Sequence, residues 1–161
     1  MPITYFLFAF FYFFLFLLRL PTDDAQNHYC LSVFREALRL WPPVFSTTVQ
    51  SFEKDIVLPD GVVLPKGCIP MPWIGPLHRS ELNFKDPLKF DPSRPVGSGI
   101  AVPFSKGPRN CIGSSLALVE GPIIIKEVFS RLKLTRIAEP KFTWMQTWKP
   151  EGLIVNVEEL P

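Results

Sequence analysis

Cys111 lies in the run Phe104-Ser-Lys-Gly107-Pro-Arg109-Asn-Cys111-Ile-Gly113, and those residue types suit a thiolate held against a large flat ligand. Glycine removes a side chain where backbone must approach closely, so Gly107 and Gly113 are candidates for such approach. Arg109 offers a planar fork of donors that matches a carboxylate. The thiolate form of cysteine is both a nucleophile and a metal ligand. The plainer reading of Cys111 is a buried, inert thiol, since free cysteine is among the most buried residue types.

Three further groups accompany this loop. Glu36-x-x-Arg39 runs into Leu40-Trp41-Pro42-Pro43. Leu77-His78-Arg79 follows a turn at Pro65-Lys66-Gly67. Phe90-Asp91-Pro92-Ser93-Arg94 comes next. Taken alone, Glu36 and Arg39 would be a solvated pair worth about 1 kcal/mol or less. A buried carboxylate between two guanidiniums is different, because losing one partner strands a charge.

The four groups, in this order, resemble the C-terminal haem-binding portion of cytochromes P450. The resemblance covers roughly Asp24 to Leu160. It implies haem, iron protoporphyrin IX with thiolate ligation, and Cys111 as the axial iron ligand. Phe104 would shield the sulfur and Gly107 would turn tightly beside the porphyrin. Arg109 would pair with a propionate, and Gly113 would let the next helix lie close to the ring. The amide end of that helix would favour a negative sulfur. His78 would touch a propionate at the haem edge. Glu36, Arg39 and Arg94 would form a structural triad that locks the irregular segment under the haem.

The implied activity is monooxygenation, which puts one oxygen atom of O2 into a hydrophobic organic substrate. A flavoprotein P450 reductase would supply electrons. No Ala/Gly-Gly-x-Asp/Glu-Thr run is present. In the family that run lies on the distal helix that serves oxygen, so no catalytic residue can be named. The expectation is therefore a fragment that is inactive alone, with a non-catalytic membrane-tethered remnant as the alternative. A structural protein with fortuitous motifs is disfavoured by the ordered set.

The elements that must position these residues can be read from patterning. The fold class expected is mostly α with small β-sheets, a C-terminal piece of the P450 fold preceded by a hydrophobic N-terminal helix. Residues 24–160 would form the haem-binding domain. Gln26 to Trp41 predicts a helix, with Cys30, Val33, Phe34, Ala37, Leu38 and Trp41 on one stripe. Asp23 or Asp24 would cap its start, and Pro42-Pro43 would end it. Ile56-Val57-Leu58 and Val62-Val63-Leu64 flank Pro59-Asp60-Gly61, a hairpin signal. A strand is expected over Cys68 to Met71, and a short helix near Trp73 to Arg79. Asn83 to Val102 reads as a meander. Ser114 to Leu134 predicts a second long helix, kinked near Leu118 to Gly121 by Gly121-Pro122. Phe142 to Leu160 predicts a hairpin turning at Lys149-Pro150-Glu151-Gly152.

Composition bounds the rest. The chain has 161 residues, 47% hydrophobic and 20% charged, enough for about one domain with a core. A net charge of +2 argues against a nucleic-acid partner. Three cysteines without a C-x-x-C make no disulfide framework, which fits a reducing compartment. Tyr5 to Leu18 is unbroken apolar sequence closed by Arg19. Residues 1–20 are read as a membrane anchor or a gene-model artefact. As an anchor they would hold the haem domain on the cytosolic face of the endoplasmic reticulum membrane.

Overall fold

The computed structural model describes residues 25–46, 51–144 and 147–161. The expected hydrophobic N-terminal helix and the capping aspartates lie outside the described residues. Among the described residues no helix is long and apolar enough to cross a membrane.

Helix α1 spans Ala25–Leu40. The amide of Trp41 still bonds the Ala37 carbonyl at 2.8 Å, and Pro42, which has no N–H, stops the ladder. The face it buries most deeply is not purely apolar. Cys30, Leu38 and Leu40 are buried, but so are Asn27, Glu36 and Arg39. Trp41 leaves the expected stripe, is half exposed, and packs against Phe90 with ring centroids 6.1 Å apart.

Strands β1 (Ile56–Val57) and β2 (Val63–Leu64) form the expected hairpin, with Ile56 opposite Leu64. Gly61 takes φ +85° in the turn, a conformation glycine adopts without a Cβ penalty. No strand forms over Cys68 to Met71. Gly67 donates to the Phe52 carbonyl and Phe52 to the Cys68 carbonyl, but Pro70 and Pro72 have no amides with which to extend a ladder. Helix α2 is the short Ile74–His78, anchored by the Ile74 amide on the Phe45 carbonyl at 2.8 Å.

Helix α3 spans Ser114–Arg131 and continues without a break through Pro122. It packs on α1 where Gly121 meets Phe34. A Cβ at Gly121 would sit 2.6 Å from the Phe34 ring, so the missing side chain sets the approach of the two helices. The helix ends three residues before the expected Leu134. Leu132–Ala138 is instead strand β3: Leu132 lies four residues after Val128, a helical spacing, but also two before Leu134, a strand spacing.

The C-terminal hairpin also differs from expectation. β3 pairs antiparallel with β6 (Ile154–Glu159), placing Leu134 opposite Val157. Inside that pair, β4 (Lys141–Trp144) pairs with β5 (Trp148–Glu151), with Phe142 opposite Pro150. Lys149-Pro150-Glu151 is therefore strand rather than turn, and only Gly152, at φ +72°, keeps the turn geometry.

Candidate functional site

The carboxylate of Glu36 is 5% exposed and is enclosed by donors. Arg39, one helical turn on, meets it with two bonds, Nε to Oε2 at 2.8 Å and Nη2 to Oε1 at 2.7 Å. Arg94 adds Nε to Oε1 at 3.1 Å, and the Asp91 amide adds 3.0 Å to the same oxygen. Burial pushes the Glu36 carboxyl up. The bonds from Arg39, the Asp91 amide and Arg94 together outweigh burial and hold it below the ordinary carboxylate range.

The two guanidiniums also organise the meander that follows α2. That stretch has no ladder of its own, so its carbonyls need donors from elsewhere. Arg39 Nη1 donates to the carbonyls of His78 at 2.8 Å and Pro87 at 2.6 Å, and Nη2 to Lys89 at 3.1 Å. Arg94 donates to Lys85 at 2.6 Å and Asp86 at 2.7 Å. The Phe84 ring lies under Arg39, with Cζ 5.0 Å from its centroid. Asp91 accepts from the amide and hydroxyl of Ser93, which lower its carboxyl and fix the turn leading to Arg94.

His78 is fully buried. Its Nδ1 lies 3.1 Å from the Arg39 carbonyl, and its Nε2 accepts from the Val102 amide at 2.8 Å. Both ring nitrogens are thus engaged by backbone. Burial holds its pKa below the ordinary value, opposed by the bond to Arg39 and reinforced by the nearby Arg39 and Arg79 cations. Arg79 instead closes the end of α1, donating through Nε and Nη2 to the Leu40 carbonyl.

The cysteine loop is closed by the Cys111 amide on the Phe104 carbonyl at 2.9 Å, with a turn inside it from the Asn110 amide to the Gly107 carbonyl at 3.1 Å. Gly107 takes φ +92° at its tip, with open space where a Cβ would stand. Ser105 adopts φ +65° and donates its amide to Val102 at 3.0 Å. Cys111 is exposed, while Phe104 is partly covered. Gly113 caps α3, and a Cβ added there would make ordinary contact with the sulfur at 3.8 Å. Arg109 is exposed and has no hydrogen-bond or ion-pair partner among the described residues.

These residues fit a flat iron cofactor bearing carboxylates. The sulfur is open to a ligand, its backbone is fixed, and the adjoining glycines leave room for a planar group. Among the described residues nothing uses the donors of the Arg109 cation. Ile112 beside the sulfur is fully exposed, an apolar side chain with nothing among the described residues upon it. Glu36, Arg39 and Arg94 come together as one cluster, and the cysteine loop as another. Asn83 was missed by sequence reasoning. Its side chain donates to the Leu77 and Ile100 carbonyls at 3.1 and 2.9 Å and accepts from the Ile100 amide at 2.7 Å. A lone asparagine in a proline-rich stretch carries no local signal of that role.

Comparison with known proteins gives a consistent pattern. Residues 21–157 match the family model described as Cytochrome P450. A human ultra-long-chain fatty acid omega-hydroxylase is 37% identical over 153 residues, covering 86% of this chain and 28% of that protein. Cytochrome P450 4ae1 of Drosophila melanogaster is 36% identical over 120 residues, covering 70% and 24%. The chain thus spans about a quarter of the length of these curated relatives. The crystal structure of the cytochrome P450DA heme domain superposes with a TM-score of 0.74 at 24% identity, covering 90% of this chain and 32% of that one, a likeness of fold. A further cytochrome P450 crystal structure gives 0.74 at 26% identity, covering 81% and 31%.

Proposed function

Because the chain belongs to the cytochrome P450 family, we propose that Cys111 is the axial thiolate of a bound haem and that the chain carries the thiolate side of a monooxygenase site. The single observation that carries this reading is the exposed cysteine pinned by its amide to Phe104 beside an exposed Arg109 that has no partner among the described residues. Haem bound there supplies the oxygen chemistry, with electrons from a flavoprotein reductase and a hydrophobic organic molecule as substrate.

The chain's own share is binding and orientation. Cys111 presents the sulfur at a fixed backbone position. Arg109 pairs with a propionate. Gly107 and Gly113 keep the backbone close to the plane of the ligand, and Phe104 limits water on the sulfur side. Glu36, Arg39 and Arg94 hold the meander beneath. Residues 24–160 form the haem-binding unit in this reading. The apolar run Tyr5 to Leu18, closed by Arg19, serves as an anchor holding that unit on the cytosolic face of the endoplasmic reticulum membrane.

The exposure of Cys111 favours a second reading, a membrane-tethered P450 remnant that binds haem without turnover, inactive on its own. Oxidation of unreactive C–H bonds needs a site from which water is excluded.

The test is spectroscopic. The full chain is reconstituted with haem, reduced and exposed to CO. The expected result is the absorption band diagnostic of thiolate ligation, lost in Cys111→Ala. A missing band in the unaltered chain, or one that persists in Cys111→Ala, overturns the reading. Substrate oxidation with added reductase then separates the two versions.

A further inference from the structure

We infer that His78 is a positioning residue for Cys111, a rigid tie between the Glu36–Arg39 cluster and the cysteine loop. The inference rests on the reading of Cys111 as the ligand-bearing thiolate, but its geometry stands on its own.

The ring bridges two segments distant in sequence. An amide N–H can only donate, so the Val102 amide fixes Nε2 of His78 as a bare acceptor. The proton must then be on Nδ1, which donates to the Arg39 carbonyl at 3.1 Å. In return, Arg39 Nη1 donates to the carbonyl of His78 itself at 2.8 Å. The imidazole is therefore held from both sides in one tautomer, with none of its surface in water.

What the ring holds is the entrance to the loop. Val102 accepts from the Ser105 amide at 3.0 Å, and Phe104, between them, accepts from the Cys111 amide at 2.9 Å. The position of Val102 thus sets the turn, and the turn sets the carbonyl on which Cys111 hangs. The loop has backbone bonds of its own from Cys111 to Phe104 and from Asn110 to Gly107. It has no ladder, and its turn uses a non-glycine residue at φ +65°, a conformation that costs free energy without outside support. Asn83 assists by clasping both backbone groups of Ile100, so alternate residues of the approach, Ile100 and Val102, are clamped by side chains from the α2–meander segment.

Two variants of the full chain test this without haem. His78→Phe keeps a ring but removes both bonds. His78→Gln can still offer an oxygen to the Val102 amide. Amide hydrogen exchange is followed at Val102, Ser105 and Cys111, with the interior of α1 as reference. His78→Phe should speed exchange at those three amides by about tenfold relative to α1, the scale of one lost buried hydrogen bond, and His78→Gln should recover most of it. Unchanged exchange at Cys111 overturns the inference. So does an equal loss in α1 and the loop in both variants, which would make His78 an ordinary core residue. The CO band of the unaltered chain is scored separately, so failure of haem ligation and failure of the tie are distinguishable.

Discussion

Glu36 and Cys111 sit in opposite surroundings. Glu36 is 5% exposed and receives bonds from two guanidiniums and a backbone amide, all supplied by this chain. Cys111 is exposed, and only its backbone is tied down. The chain closes the first site completely with its own residues and leaves the second open at the sulfur. A group that supports the fold is worth most when every donor is matched. A group that meets a ligand must keep its reactive atom unspent.

The contrast breaks first if Glu36 is expendable. In Glu36→Gln the neutral amide leaves two arginines without their shared anion, 3% and 15% exposed at the side chain. Removing one partner of a buried ion pair costs about 3–5 kcal/mol. Chemical denaturation should show a loss of that size, large against the ~5–15 kcal/mol stability of an ordinary domain. A loss under about 1 kcal/mol would mean that the cluster behaves as a surface pair.

Acid should act on the same region in two steps. His78 is neutral in the fold with its pKa lowered from 6.5, so the unfolded chain binds the proton more readily. Stability is then fully present above about 6.5 and falls as pH drops below it. Glu36 is also lowered, from 4.5, so its contribution is present above that value and declines as pH falls further towards its folded pKa. Thermal melting across this range should show a decline beginning near neutrality, and His78→Gln should remove the first step while leaving the second. A profile flat down to about pH 5 would contradict the buried neutral ring.

The sequence carried some of this arrangement and not the rest, for physical reasons. Helix α1, the hairpin at Gly61 and the start of α3 follow from local signals: apolar spacing, a proline stop and a turn glycine. The end of α3 does not, because Leu132 fits a helical spacing from Val128 and a strand spacing to Leu134, and it pairs with β6 from across the fold. The cluster of Glu36, Arg39 and Arg94 was readable as a set through its motifs. Its carbonyl partners in the meander were not, since backbone acceptors look alike in any sequence. The bonds that hold His78 were not readable either. A histidine beside an arginine suggests a polar surface, and only the structure shows Arg39 and Val102 consuming both its nitrogens.

The smallest expected effect on stability is the sharpest test of the comparison. The Cys111 side chain is exposed, and the bond that closes its loop uses the backbone amide, which any residue but proline retains. Cys111→Ala removes only a sulfur that covers little apolar surface, so without haem the denaturation midpoint should move by no more than about 0.5 kcal/mol equivalent, the usual range for surface changes. With haem present the unaltered chain should gain stability by mass action and the variant should not, because only the folded site binds the ligand. A variant already destabilised by several kcal/mol without haem would mean that the sulfur is a packing group. The opposition between a closed structural site and an open chemical one would then be lost.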